Sequence, residues 1–335
     1  MDMDPMVPTL DIVIVNWNSG GQLRACLETI ARSTAGNYRL GRVIVSDNGS
    51  VDGSLDRLDD LDLPLAILRN GANLGFGAAC NRAVAMGDGR FLLLLNPDTR
   101  LEADTLARSV RYLDDHPETG IVGVRLVDEQ GHTHRSCARF PHVRHFVHKI
   151  LGLDRMVPKL CHGHLMLEWD HLDSRTVDQV MGAYFLMPRA LFERLDGFDE
   201  RFFLYFEDVD FAWRAQASGL PCHFLADAVA FHKGGGTSEQ VKPERIFYCL
   251  RSRIIYARKH FGWGRAAALT AVTILAEPLS RLMLAVLRGS PSVVMDTIKA
   301  YRLLYADLPR ILNTPSAGVV DAGLAPGSIR PAGRH

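Results

Sequence analysis

Three acids within four residues, Glu207, Asp208 and Asp210, follow an aromatic run in "RFFLYFEDVDFAWR". Acids in a first helical turn are ordinary caps favoured by the helix dipole. Behind an aromatic cluster they also suit proton transfer. The dipole would keep Asp208 ionised, while burial and its acidic neighbours would keep its pKa from falling far. That combination is what a general base for a hydroxyl needs. A second acid, Asp98, closes "FLLLLNPD" behind Asn96 and Pro97. Asn-Pro and Pro-Asp pairs form turns, and the same placement would hold a carboxylate at the lip of a buried sheet. Hard oxygen donors there suit Mg²⁺ or Mn²⁺. His232 lies in "AFHKGGGTS", after an apolar run and before three glycines. A lone histidine is more often structural than a ligand. Here the glycines suggest a loop closing over phosphates, with His232 as a further metal ligand.

Elements that would position these groups are legible upstream. The runs "DIVIV" (11–15), "RVIVS" (42–46), "LAIL" (65–68) and "FLLLL" (91–95) are continuously apolar, as strands buried on both faces of a parallel sheet are. Helical spacing fills the gaps, with Leu23, Leu27 and Ile30 on one face and "GAACNRAVAMG" ending on a glycine. The alternation predicts a doubly wound α/β domain, Rossmann-like and mainly parallel, with flanking helices. Ligands of such sheets bind outside the carboxyl ends of the strands. Those ends here read Asn16-Trp17-Asn18, Asp47-Asn48-Gly49-Ser50, Asn73-Leu74-Gly75 and Asn96-Pro97-Asp98. "GFGAAC" (75–80) imitates a dinucleotide fingerprint, but Cys80 takes its third small position and the motif starts well past its strand, against an oxidoreductase. No P-loop is present either, so a pyrophosphate would need positive charge from elsewhere. A divalent cation on Asp98 would supply it.

Lys plus Arg and Asp plus Glu both number 38, which argues against a nucleic-acid binder working by bulk charge. The six cysteines include no C-x-x-C pair, so neither a disulfide framework nor a zinc ribbon is expected, and a reducing, cytoplasmic setting fits. The acidic start lacks the basic and apolar regions of a signal peptide. Eight of the thirteen histidines fall in residues 132–171. "CHGH" (161–164) lacks a partner pair at zinc spacing, so the stretch reads as a mobile substrate loop or a partly ordered insert. Beyond Lys242 the pattern is helical. Residues 266–289 are strongly apolar, but Glu277, Pro278 and Arg281 interrupt a spanning segment. Two helices on the core, or in a membrane interface, both remain open. The Gly-, Pro- and Ala-rich tail after Asn313 is expected to be disordered.

"IVNWN", "VSDNGSVDGS", "NGANLGFGAACNRA", "LLLLNPDTRL", "GAYFLMPRALFERLDGFDERFFLYFEDVDFAWR" and "FHKGGGTS" succeed one another over residues 10 to 240. In that order they resemble glycosyltransferase family 2, and within it the bacterial rhamnosyltransferase-like branch. The resemblance implies a GT-A fold over residues 1–240, with a nucleotide-sugar half (8–130) and an acceptor half (131–240). A C-terminal helical region (241–313) and a tail (314–335) would follow. It also implies an inverting transfer of a sugar, L-rhamnose from dTDP-rhamnose first, to a lipid-linked or polysaccharide acceptor in cell-envelope synthesis. UDP-sugars donating galactofuranose, N-acetylglucosamine or another hexose are the alternative. Asn16, Trp17, Asn18, Asp47 and Asn48 would hold the nucleoside, and Asn73, Gly75 and Asn81 would border the donor. Asp98 would match the last acid of the D-x-D metal motif, with Asn96 in place of the first. Asp208 would be the base beside Glu207, His232 would sit near metal and pyrophosphate, and Asp210, Trp213 and Arg214 would support the acceptor side. Peripheral contact with the inner face of the plasma membrane would come from the C-terminal helices. A nucleotidyltransferase is disfavoured because "NWNSGGQ" carries no basic residue after the first strand. A non-catalytic relative is disfavoured by the intact Asp98, Glu207, Asp208 and His232.

Overall fold

The four continuous apolar runs become neighbouring parallel strands. The computed structural model describes residues 7–34, 36–150, 152–157, 163–234 and 241–314. Its first half runs β1 (Thr9–Asn16), α1 (Gly21–Ala31), β2 (Arg39–Asp47), β3 (Leu65–Arg69), α2 (Phe76–Val84), β4 (Phe91–Leu95), β5 (Thr99–Leu101), α3 (Thr105–Asp115) and β6 (Ile121–Val127). Then come α4 (Val143–Ile150), α5 (Leu153–Met156), β7 (Arg175–Val177), β8 (Tyr184–Pro188), α6 (Arg189–Arg194), α7 (Glu207–Ala217) and β9 (Cys222–His232). The helices α8 (Lys242–His260), α9 (Trp263–Ala271), α10 (Glu277–Leu287) and α11 (Pro291–Asn313) complete the described chain.

One sheet carries all nine strands in the order β3-β2-β1-β4-β8-β6-β9-β5, with β7 on the side of β9. The β3-β2-β1-β4 half is parallel throughout. Beyond it the sheet is mixed, because β8 runs antiparallel to both β4 and β6. Both faces of β1 and β4 are covered, as the unbroken apolar pattern requires, whereas β3, at the sheet edge, is only partly buried and exposes Ile67. Phe91, Leu93 and Leu95 enter one core with Leu23, Leu27 and Val110, while Leu92 and Leu94 enter the other with Phe185, Phe198 and Phe211. Each such buried side chain contributes about 1.5–3 kcal/mol by leaving water. The doubly wound, GT-A-like expectation is therefore met, with flanking helices and a C-terminal helical region.

Register carries the strand ends to one edge. Asn16 pairs with Asp47, and Ile14 with Leu95. The start of β8 meets the end of β4, where Asn96 N–H donates to Ala183 O at 3.0 Å. On the far side β5 pairs antiparallel with β9 and sets Thr99 opposite His232. The sequence pattern and the pairing thus deliver Asp98 and His232 to the same place.

The C-terminal helices pack against this body. Arg251 on α8 bonds Asp307 of α11 at 2.8 Å and the carbonyl of Arg201 at 2.7 Å. Residues Trp263–Leu287 form one helical rod, α9 continuing through a π-helical stretch (Val272–Ala276) into α10. The interruption read in the sequence is real but local. The wider turn admits Pro278, which cannot supply an amide hydrogen, and Glu277 is buried between Arg253 and Arg281. By length and composition the rod could cross a membrane (25 residues, mean hydropathy 1.5). Its Glu277–Arg253 pair binds it to α8 instead. Leu275, Leu279, Met283 and Val286 recur at helical spacing on its outer side, each more than 60% exposed.

Candidate active site

A cavity of about 650 Å³ opens at the strand edge, within the range of sites for small organic ligands. Trp17, Asn48, Asn73, Gly75, Asn96, Asp98, Glu207, Asp208 and His232, all singled out from sequence, line it. The strand exits build one wall. Asn48 Nδ2 donates to Gly75 O (3.1 Å) and Asn73 Oδ1 (3.2 Å), tying the end of β2 to the loop before α2. Gly75 has φ +85°, and a Cβ there would strike the Phe203 carbonyl. No other residue fits that close approach.

The acids sit on the opposite wall because α7 starts there. Tyr205 and Phe206 both adopt left-handed φ values, 68° and 70°, immediately before Glu207. Such conformations cost about 1–3 kcal/mol each outside glycine and concentrate at functional sites. They turn the chain so that the first residues of α7 meet the cavity. Asp208, half-buried, accepts hydrogen bonds from Gln179 Nε2 (3.1 Å), Gly182 N–H (3.2 Å) and Val209 N–H (2.9 Å). Burial nevertheless lifts its pKa above the ordinary aspartate range, those bonds opposing the rise. Glu207 is buried and its Oε2 has no partner among the described residues. Burial, and secondarily the charge of Asp208, pushes its pKa well up. The hydrogen bonds favour Asp208 as the charged member of the pair. A half-buried carboxylate of raised basicity facing a cavity is chemically a proton acceptor.

Asp98 and His232, each about nine-tenths buried, bring Oδ1 and Nε2 to 3.4 Å, longer than a good hydrogen bond. His232 Nδ1 is a buried polar atom with no partner among the described residues. This oxygen–nitrogen pair fits a divalent cation that takes few protein donors. No group of three or more acidic, His or Cys donors occurs among the described residues, so phosphate oxygens and water would complete the shell, as with Mg²⁺ in phosphate sites. Asn96 lines the cavity as an amide where an acid would add charge.

Other expected contacts do not reach the cavity. Asn16 is fully buried and donates to Asp47, Ser50 and Ser54. Asp47 spends its other oxygen on the Gly49 and Ser50 amides. Asn18 braces the same loop through Val51 N–H. Asn16 and Asp47 support the wall from behind, their side chains committed to each other and to the following loop, and Asn18 joins them through its Oδ1. Asn81 exchanges bonds with the Phe198 main chain and reaches Glu200, stitching α2 to the loop after α6. Asp210 points inward to Arg214 (2.8 Å), Lys259 (2.7 Å) and His260 (2.7 Å). Burial alone would raise its pKa, but His260, Arg214 and Lys259 hold it below the ordinary range. Arg214 also caps the Leu195 and Gly197 carbonyls, and Trp213 packs edge-on against Phe140. Asp210, Trp213 and Arg214 anchor α7 to its surroundings.

Sequence reasoning passed over Gln179 and Gly182, which hold Asp208, and His134, Arg245 and Tyr248, which line the cavity. Gly182 lay inside a quoted motif without a role, and His134 was absorbed into the histidine-rich stretch. The described part of that stretch is packed: His171 stacks on Trp169 at 4.0 Å and accepts from Cys137 N–H, and α4 buries Phe146. Burial drives His145 and His164 down to about 4, so both are neutral packing groups. Cys161, His162 and the glycine-loop residues 235–238 lie outside the described residues.

Residues 11–166 match the family model described as "Glycosyl transferase family 2". These residues form a glycosyltransferase family 2 domain. The chain is 28% identical over 276 residues to the N-acetylglucosaminyl-diphospho-decaprenol L-rhamnosyltransferase of Mycobacterium tuberculosis, covering 78% of this chain and 88% of that protein. A PGL/p-HBAD biosynthesis glycosyltransferase of Mycobacterium bovis is 35% identical over 119 residues, 34% of this chain and 45% of the relative. Among solved structures, the Pyrobaculum calidifontis mannosyltransferase PcManGT with GDP-Man and Mn²⁺ superimposes with a TM-score of 0.52 at 19% identity. That alignment covers 93% of this chain and 89% of the other. Staphylococcus aureus TarS 1–349 with UDP-GlcNAc gives 0.51 at 14% identity, over 90% and 92%. At such identities the two structures speak for the shared fold alone. The chain is a glycosyltransferase.

Proposed function

We propose that this glycosyltransferase moves a sugar with inversion, L-rhamnose from dTDP-rhamnose, to a hydroxyl of a lipid-linked envelope glycan. One observation carries the mechanism: Asp208, of raised basicity, and the Asp98–His232 pair line the same cavity. Asp208 takes the acceptor proton as the hydroxyl attacks the anomeric carbon from the face opposite the diphosphate. A bound Mg²⁺ or Mn²⁺ would supply charge stabilisation for the leaving diphosphate, and Asp98 and His232 would hold it. Glu207, kept protonated by burial, spares the site a further negative charge. Support for rhamnose comes from the named activity of the mycobacterial relative, and for a metal from the Mn²⁺ bound by the mannosyltransferase. A UDP-sugar donor is the second reading, favoured by the UDP-GlcNAc held by TarS.

The exposed stripe of α10 would rest on the cytoplasmic surface of the plasma membrane, where a lipid-linked acceptor presents its head group. The domain bounds at residues 240 and 313 remain part of this reading. The test is calorimetry with dTDP-rhamnose, UDP-sugars and GDP-sugars, each with and without Mn²⁺. Metal-dependent binding strongest for dTDP-rhamnose is the expected result. Preference for a UDP-sugar would overturn the rhamnose assignment, and metal-independent binding would remove the ion from the mechanism.

A further inference from the structure

A diphosphate needs positive charge, and this cavity is short of it. Its lining carries the carboxylates of Asp98, Asp208 and Glu244, and the buried Glu207 carboxyl group whose charged form burial disfavours, against one guanidinium among the described residues, that of Arg245. The N–H of Phe76, first residue of α2, is already donated to Phe203 O at 2.9 Å. The cations nearest the acidic helix are committed: Arg214 and Lys259 to Asp210, and Arg201 to Asp199. Arg245 differs. It lines the cavity from the start of α8, and no hydrogen bond or ion pair joins it to another described residue. Glu244, its neighbour on the helix, lines the same cavity, but no ion pair joins the two side chains.

The helix bearing Arg245 is firmly placed. Tyr248, three residues on, lines the same wall and stacks on Phe203 with ring centroids 4.4 Å apart. Ser252 Oγ donates to Leu204 O at 2.8 Å, and Arg251 reaches Arg201 O. A long guanidinium without a partner among the described residues, on a fixed helix, can close on an anion without moving the wall. Its planar fork matches phosphate oxygens two at a time.

We propose that Arg245 binds a substrate diphosphate in the cavity, as a positioning cation supplied by α8; this rests on the glycosyltransferase reading above. Two substrates carry that group under that reading, the nucleotide-sugar donor and a polyprenyl-diphosphate acceptor.

The test is calorimetry on the full chain with Mn²⁺ present, comparing wild type, Arg245→Ala and Arg245→Lys. The probes are dTDP, UDP, dTMP, UMP and farnesyl diphosphate. Arg245 is exposed, so both variants should fold, and circular dichroism checks this. Loss of a charge-assisted contact predicts affinity for a diphosphate about tenfold weaker in Arg245→Ala, with monophosphates almost unchanged. Arg245→Lys should recover part of the loss, since it restores the charge without the fork. Loss on dTDP or UDP assigns Arg245 to the donor; loss on farnesyl diphosphate assigns it to the acceptor. Undiminished binding of every diphosphate, or equal loss on monophosphates, overturns the inference while leaving the glycosyltransferase reading intact. If wild type binds none of the nucleotides, the donor reading fails; if it binds no farnesyl diphosphate either, this inference fails with it.

Discussion

Replacing Asp208 with Asn changes one atom and removes the proton acceptor. The amide oxygen can still take the hydrogen bonds from Gln179 Nε2 and Gly182 N–H, so the local frame of α7 is kept. The bond from Val209 N–H to the other oxygen is lost, a cost of about 1 kcal/mol. A positioned general base contributes about 10²–10⁴ in rate, which corresponds to about 3–5 kcal/mol of barrier. Transfer by Asp208→Asn should therefore fall by that factor, while calorimetric affinity for the nucleoside diphosphate stays near wild type. The pH profile adds a second check. Because burial raises Asp208, wild-type kcat/KM should decline with falling pH while still above the ordinary carboxylate range. The variant's residual rate should lack that limb. A radiolabelled-sugar transfer assay over a pH series reads both. Turnover within about fivefold of wild type, or an unchanged acid limb, would refute the base assignment.

Glu207→Gln should stabilise the protein at high pH and do little at low pH. The folded-state pKa of Glu207 is raised, so its stabilising contribution is full below the unfolded pKa and is lost as pH rises through the folded value. Thermal melts at several pH values check this, with a gain of about 1–2 kcal/mol at the alkaline end typical of relieving functional-site strain. Gly75→Ala should destabilise strongly, by about 2 kcal/mol or more, since a positive φ and a clash with the Phe203 carbonyl coincide. Chemical denaturation measures it, and a wild-type midpoint would contradict the close approach. Leu279→Glu with Met283→Glu should abolish sedimentation with anionic lipid vesicles while leaving nucleotide binding unchanged. Retained sedimentation would remove α10 from any membrane contact.

Strand-forming segments were legible because their chemistry is local. "FLLLL" needs cover on both faces wherever it lies, and its alternate residues do enter separate cores. Asp98 and His232 could be named singly, but their meeting depends on the β5–β9 register across more than a hundred residues. The polar strand ends misled in part. Asn16 and Asp47 stand at the expected edge, yet their side chains satisfy each other and the following loop. Whether an Asn at a strand end faces a ligand or braces a turn depends on the side chain's partner, which composition does not reveal. Arg245 carried no local signal at all. It sits in an ordinary amphipathic helix start, and only the packing of α8 onto Phe203 and Leu204 brings it to the cavity.

The division of labour within "EDVD" matters for interpreting variants. Asp210 is fully buried between the cations Arg214 and Lys259 and beside His260, two residues from the proposed base. A substitution there would silence the enzyme as thoroughly as one at Asp208, and an activity screen would score the two alike. The lesions differ in kind. One removes a reagent from a sound protein, and the other leaves Arg214 and Lys259 without a counter-charge, and His260 without its hydrogen-bond partner, inside it. A small molecule that binds and stabilises the fold has a prospect of rescuing the second and none of rescuing the first.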